Sequence, residues 1–403
     1  MFILGTTIRY YFMYRMKVGD YMEIRRVNIL LIPDKEQRQS FFNSAYYSQR
    51  MYNQAIDWCK NEYDETGMFL SKFDMINMLP EFKQCNTEFQ IVDGYVLKDS
   101  VTQLRKALNN LKRGSGFPRY KSYYKSRKSF GVRTERVTLK KDKVRIPSIG
   151  WVKCKHCHWL TKSKSDEQLG DIKLHDTRIY FDNKFWFLSV GIEVSLTEDK
   201  LTDEVIGIDL GVRKHISTSN GIVEPNINHS RQVKILERRK KILQRRIARK
   251  YELNKQGNKF IKTRSIKHDE QRLRLIYRKL TNIRESNLHR ICNTIISYLP
   301  KRIMLEDLNV RGMLRNKHLS RVISEQLFYK TRQLLTEKAK NCYIEVGIVD
   351  RFYKSSKLCS RCKSVNKNLG SSEIFNCSFC GLVIDRDYNA SLNIRDCKDY
   401  KLV

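Results

Sequence analysis

At 403 residues and 41% hydrophobic content, the chain is long enough for two or three packed domains and too polar for a membrane protein. Its 78 Lys and Arg against 43 Asp and Glu leave a net charge of +35, far more than solubility asks of this size. Such a field draws in a polyanion, although a generically basic, ribosome-associated surface would account for the charge alone. No stretch approaches the roughly 18–20 apolar residues of a membrane span, and the opening residues lack the clean hydrophobic run and cleavage site of a signal peptide. A cytoplasmic location is therefore expected.

From Arg25 to Ile32 the run RRVNILLI, closed by Pro33-Asp34, predicts a strand and a turn. Helical periodicity follows, with Phe41, Phe42, Ala45, Met51, Tyr52, Ala55, Ile56 and Cys59 marking apolar faces. Further helical pattern runs to about Lys112, until GSGFPRY (Gly114 to Tyr120) interrupts it. VTLKKDKVRIP, TRIYFDN and KFWFLSVGIEV then alternate as strands to about Val194. This half reads as a β module, 23–200, carrying a helical insertion at about 34–113. VIGIDLGV and HISTSNGIV predict a hairpin with one buried strand. Between Arg231 and Arg290 there are 21 Lys and Arg against 5 acids, while Leu273, Tyr277, Leu280, Leu288, Ile291 and Ile295 keep an apolar stripe. One face of this helical hairpin (about 230–299) packs and the other meets anions or water. RIMLEDLNV predicts another buried strand, Ser324 to Lys340 an amphipathic helix and YIEVGIVD a last strand, an alternation that favours an α/β sheet from about Leu201 onward.

Asp209 stands inside an apolar strand, and Glu306 occupies the same kind of position in IMLEDL. A buried carboxylate costs several kcal/mol unless a cation or hydrogen bonds compensate, and a shared metal site explains two such cases in one domain. A third acid comes from VIDRDYNAS, where Asp385 and Asp387 are both available. Three carboxylates gathered by a sheet can hold two Mg²⁺ ions about 3.5–4 Å apart, the arrangement for phosphodiester hydrolysis. Asp209 could instead be a turn residue or a phosphate-binding acid. Glu306 could face solvent, with Asp307 equally placed beside it.

Eleven cysteines are an odd count. Cys59, Cys85, Cys292, Cys342 and Cys397 are scattered, which argues against a disulfide framework. Cys359-Ser-Arg-Cys362 and Cys377-Ser-Phe-Cys380 form two C-x-x-C knuckles separated by a short polar loop, a spacing that gathers four thiolates around Zn²⁺ and leaves it no open position. Such a zinc is structural, folding a segment poor in apolar residues. Cys154-Lys-His-Cys157-His158 has no second pair nearby. No Walker-type phosphate loop is present.

The order GIDLG, LEDL, C-x-x-C, C-x-x-C, DRDYNAS resembles the RuvC-like nuclease domain of the TnpB (OrfB) family. These proteins are encoded by bacterial and archaeal insertion sequences and related to type V CRISPR effectors. IPDKEQ, the helix with Tyr52 and Asn53, GFPRYKS and VRIPSIGWVK are similar to the family's wedge and recognition segments. Coverage is nearly complete after residue 22, and residues 1–22 are unmatched. The resemblance implies an α/β nuclease domain of RNase H/RuvC-like mixed sheet (201–352 and 384–403), interrupted by a zinc finger (353–383) and preceded by a β-rich wedge with a helical insertion. It implies Asp209, Glu306 and Asp387 as catalytic Mg²⁺ ligands, Asp387 rather than Asp385, and Cys359, Cys362, Cys377 and Cys380 as zinc ligands. The implied partners are a guide RNA from the transposon end and double-stranded target DNA with a short adjacent motif, read by base pairing. Phe117, Arg119 and Tyr120 in GFPRY, and Arg238, Arg239, Lys240, Arg245 and Arg246 in the basic hairpin, are the expected nucleic-acid contacts. GFPRY could equally be a well-packed turn. Lys363 departs from the family in replacing the glycine that usually follows the first knuckle. Lys354 likewise stands where proline is common. A miniature CRISPR effector and a catalytically silent regulator of transposition are the competing readings.

Overall fold

The computed structural model describes residues 22–155, 165–195, 200–316, 320–366, 370 and 372–403. Of the unmatched residues 1–22, all but Met22 lie outside them, as do Cys157 and His158. The chain divides near residue 196 into two compact units.

In the first unit, strand β1 (Met22–Ile32) ends at Pro33. Asp34 then starts helix α1 (Lys35–Thr66), its carboxylate accepting from the Gln37 backbone N–H at 2.8 Å while the Gln37 side chain accepts from the Asp34 N–H at 3.3 Å. This reciprocal pair satisfies two of the donors a helix start leaves open. Gly67, at φ 73°, closes α1 with a left-handed turn. Helices α2 (Lys72–Asn77), α3 (Leu79–Cys85) and α4 (Gly94–Asn109) pack around the second half of α1, burying Met51, Ile56 and Cys59 against Met75, Leu97 and Leu104. Strands β2 (Ser129–Gly131), β3 (Thr138–Leu139), β4 (Lys143–Ile146) and β5 (Gly150–Lys155) follow, then the short helix α5 (Asp166–Gly170), β6 (Leu174–Asp182) and β7 (Phe185–Ser195). They form one antiparallel sheet in the order β2-β6-β7-β1-β5-β4-β3. Val27, Ile29 and Leu31 of β1 alternate into its core, where Phe41 of α1 meets the Trp186 ring edge-on at 5.1 Å. Cys154 is a buried thiol of β5, and burial pushes it up to about 12.

The second unit is built on a six-stranded sheet of β8 (Val205–Leu210), β9 (Lys214–Thr218), β10 (Val223–Pro225), β13 (Arg302–Glu306), β14 (Glu345–Val349) and β17 (Tyr400–Leu402), in the order β10-β9-β8-β13-β14-β17. β8, β13 and β14 run parallel, and β9, β10 and β17 run antiparallel to their neighbours. Between β10 and β13 lie helix α6 (Arg231–Leu253), a small hairpin of β11 (Lys255–Gln256) and β12 (Lys259–Phe260), and helix α7 (Arg264–Ile296). Ser230 and Thr263 cap the two helices through their hydroxyls. After β13 come α8 (Val310–Arg315), α9 (Ser320–Gln326) and α10 (Phe328–Asn341). The single helix expected from Ser324 to Lys340 is broken at Leu327, which takes a left-handed backbone with φ 57°. The break lets Gln326 bury its amide, donating to the Val212 carbonyl at 3.0 Å and meeting His215 Nδ1 at 2.7 Å. One face of the sheet, with Ile206, Ile208, Leu305 and Ile348, packs on Leu288 and Ile291 of α7 and Leu335 of α10. On the other face, Met304 and Val349 meet Ile394 of helix α11 (Arg386–Asp396). Before α11 the chain forms the cysteine segment, which includes the two-stranded β15 (Ile374–Asn376) and β16 (Val383–Asp385). Among the described residues, no helix is long and apolar enough to cross a membrane.

Candidate functional site

The register of the parallel strands brings Asp209 and Glu306 together. Ile208 is paired with Leu305, so both acids stand one residue beyond that pair, at the carboxyl ends of adjacent strands. Ligands of open α/β sheets gather at this edge. Alternation also puts Glu306 and Asp307 on opposite faces of the sheet. Leu305 points to the α7/α10 face and Met304 to the α11 face, which puts Glu306 with α11 and Asp307 with α10. The partners agree: Asp307 accepts from Arg332 at 2.6 Å and Arg351 at 2.7 Å, and these guanidiniums hold its carboxyl below the usual range.

Gly207 lies two residues before Asp209 and faces α11. A Cβ there would collide with the Ser391 carbonyl oxygen and the Arg395 backbone, so only glycine lets the helix lie this close to β8. The first turn of α11 carries Asp387, one helical turn ahead of Ser391, alongside the Asp209 end of the strand. Asp385 has a different task. Its Oδ1 accepts the N–H groups of Asp387 at 3.1 Å and Tyr388 at 3.0 Å, capping the helix, while its Oδ2 pairs with Lys214 at 2.5 Å.

Asp209 lies within β8 and not in a turn, and its surroundings are those of a like-charged cluster. Burial, then Glu306 and Asp387, raise the Asp209 carboxyl well above its ordinary value. Burial likewise raises Glu306, opposed by a hydrogen bond from the Ser355 hydroxyl, and burial followed by Asp385 raises Asp387. Among the described residues none of the three makes an ion pair, whereas Asp307 and Asp385 beside them are both paired. The three carboxylates do not close to within 4.8 Å of one another, a spacing that only the four cysteines reach among the described residues. Ligands of two ions about 4 Å apart need not meet that spacing, because acids on opposite sides of the pair are separated by the ions themselves.

The cysteine segment is compact. Cys359 and Cys380 Sγ lie 3.6 Å apart, as do Cys362 and Cys377 Sγ. Zn–S bonds of about 2.3 Å in a tetrahedron place sulfurs about 3.8 Å apart, so the four thiols fit zinc. Each knuckle turns on a left-handed residue, Lys363 at φ 59° and Gly381 at φ 70°. Lys363 therefore adopts the backbone that the family's glycine would. Its amine reaches Asn393 Oδ1 at 3.3 Å and Asp396 at 3.2 Å on α11.

Sequence reasoning missed Asn389 and Asn393, both fully buried on α11. Asn389 donates to the Leu358 carbonyl at 2.7 Å and accepts from Ser360 N–H at 2.9 Å. Asn393 donates to the Ser355 and Leu358 carbonyls at 2.9 and 2.6 Å. They bind the first knuckle to the helix that carries Asp387. Their spacing of four, one helical face, was the available signal.

The expected nucleic-acid contacts divide. Tyr120 donates to Asp57 at 2.5 Å and accepts from Lys60 at 3.0 Å, and Phe117 lies 5.9 Å from Phe69, so GFPRY rests against α1 and its neighbours with both rings still exposed. Arg119 is exposed. On α6, Lys240 pairs with Glu237 at 2.5 Å and Arg246 pairs with Asp269, while Arg238, Arg239 and Arg245 are exposed.

Two family models match the chain: "Probable transposase" (OrfB, IS605) over residues 187–317 and "Cas12f1-like, TNB domain" over 328–394. A Streptomyces pristinaespiralis protein whose name assigns it as an RNA-guided DNA endonuclease is 27% identical over 375 residues, 90% of this chain and 86% of that protein. A TnpB-like protein of Acanthamoeba polyphaga mimivirus is 32% identical over 128 residues, 30% of this chain and 24% of that protein. Among solved structures, a Cas12f1–sgRNA–target DNA complex matches with a TM-score of 0.58 at 16% identity, covering 91% of this chain and 84% of that one. The fold is the mixed α/β fold of such proteins. The resemblance to the TnpB (OrfB) family holds at the level of family models, sequence relatives and fold.

Proposed function

We propose that this protein is an RNA-guided DNA endonuclease of the TnpB type, with one RuvC-like site formed by Asp209, Glu306 and Asp387. The observation that carries the reading is the contrast among neighbouring acids: Asp307 and Asp385 are paired with Arg332, Arg351 and Lys214, while the three on the α11 side of the sheet make no ion pair among the described residues. Half-buried carboxylates crowded together without ion-pair partners persist where a divalent ion completes them. A pair of Mg²⁺ ions held there would activate water and stabilise the leaving oxygen of a phosphodiester. The protein's own contribution is placement: two adjacent strands and one helix start hold three acids from distant parts of the chain.

Cys359, Cys362, Cys377 and Cys380 would hold a structural Zn²⁺, supported by the spacing of their sulfurs. The +35 net charge suits a chain that binds a guide RNA and its DNA target together. The β-rich first unit with helices α1 to α4 is read as the wedge and recognition part. The test is Asp209→Ala in the full-length protein purified with its RNA. Guided cleavage of DNA disappears while the copurifying RNA is retained. Undiminished cleavage would reject the assignment.

A further inference from the structure

Asp209 is paired directly across the antiparallel ladder with Ser217 of β9. Opposed residues of such a pair point to the same face, with Cβ atoms about 4.5–5.5 Å apart. β9 carries an irregularity opposite Glu224 and Pro225, where the partner register skips His215. Ser217, beyond it, lies on the α11 side with Asp209, while Ile216 packs into the α7/α10 core. The Ser217 side chain is buried at 2% exposure, and its hydroxyl has no hydrogen-bond partner among the described residues.

A buried hydroxyl without a partner is unfavourable and calls for a reason such as a missing ion, water or reacting group. Glu306, the other strand carboxylate, already has such a donor: the Ser355 hydroxyl bonds its Oε1. Ser355 is itself buried and anchored through its carbonyl to Asn393 at 2.9 Å.

We propose that Ser217 and Ser355 are matched positioning residues, each orienting one strand carboxylate, Asp209 and Glu306 respectively, toward divalent cations. The inference rests on the proposed nuclease site. A carboxylate that gives one oxygen to an ion keeps lone pairs for an outer donor, and fixing its rotation raises affinity for the ion. Ser355 makes this bond already, and Ser217 makes it by a rotation of its hydroxyl and of the Asp209 carboxylate. Each serine acts through an acid, not on the substrate.

The experiment titrates Mn²⁺ into the full-length protein by electron paramagnetic resonance, with zinc content and Tm measured alongside. Asp209→Asn removes the tight Mn²⁺ binding, Ser217→Ala and Ser355→Ala each weaken it about ten-fold, and zinc content stays at the wild-type level. Because the Ser217 hydroxyl has no partner among the described residues to lose, Ser217→Ala leaves Tm unchanged or raises it, which separates positioning from a structural role. Wild-type Mn²⁺ affinity in Ser217→Ala, with binding lost in Asp209→Asn, overturns the proposal and leaves the cation site standing. Unchanged binding in Asp209→Asn overturns the site itself.

Discussion

Single atoms decide the geometry of the acidic cluster. Gly207 is the sharpest case, since a methyl group there meets backbone of α11 rather than a yielding side chain. Gly207→Ala is expected to push α11 outward, lowering stability by about 1–3 kcal/mol and guided cleavage by much more, with the zinc retained. Thermal denaturation and a cleavage assay check the pair of effects, and equal activity would show that the close approach is dispensable. The sequence made Asp209 and Glu306 visible as charges in apolar runs. It left Glu306 and Asp307 equivalent, because a strand's inward face depends on what packs against it. Only Met304 against Ile394, and Asp307 against Arg332, separate the two.

At the scale of elements, α11 and the cysteine segment act as one piece. Asn389, Asn393 and Lys363 join the first knuckle to the helix, and Ser355 runs from the same segment to Glu306. On the proposed zinc assignment, Cys377→Ser, or removal of the metal by chelation, is expected to loosen the segment and displace both Asp387 and Glu306. Limited proteolysis between residues 353 and 383 should accelerate as zinc is lost and cleavage should fall in parallel. Full activity in metal-free protein would contradict the coupling. The four cysteines were legible because spacing alone fixes how knuckles meet a metal. The asparagines were not, since polar residues on a helix acquire meaning only when their carbonyl partners are in place. Leu327 was hidden for a related reason: nothing local breaks the helix there, and the buried bonds of Gln326 to Val212 and His215 come from distant chain.

For the whole molecule, the charge excess is the governing quantity, and the structure shows that only part of it is available. Lys240 pairs with Glu237 of its own helix and Arg246 joins α6 to Asp269 of α7, whereas Arg238, Arg239 and Arg245 face solvent. Replacing those three arginines with glutamine is expected to weaken RNA or DNA binding and to reduce the slope of log affinity against log salt by about 2–3, each phosphate no longer neutralised accounting for about 0.7–0.9. Filter binding across a salt series measures it, and an unchanged slope would remove this face from the interface. The order of the acids along the polypeptide has a further consequence. A ribosome completes the basic hairpin long before it reaches α11, so the proposed nucleic-acid face is synthesised ahead of the proposed third carboxylate. On the proposed reading of the three acids, scission competence arrives only with the last helix, and a premature stop ahead of Asp387 removes it.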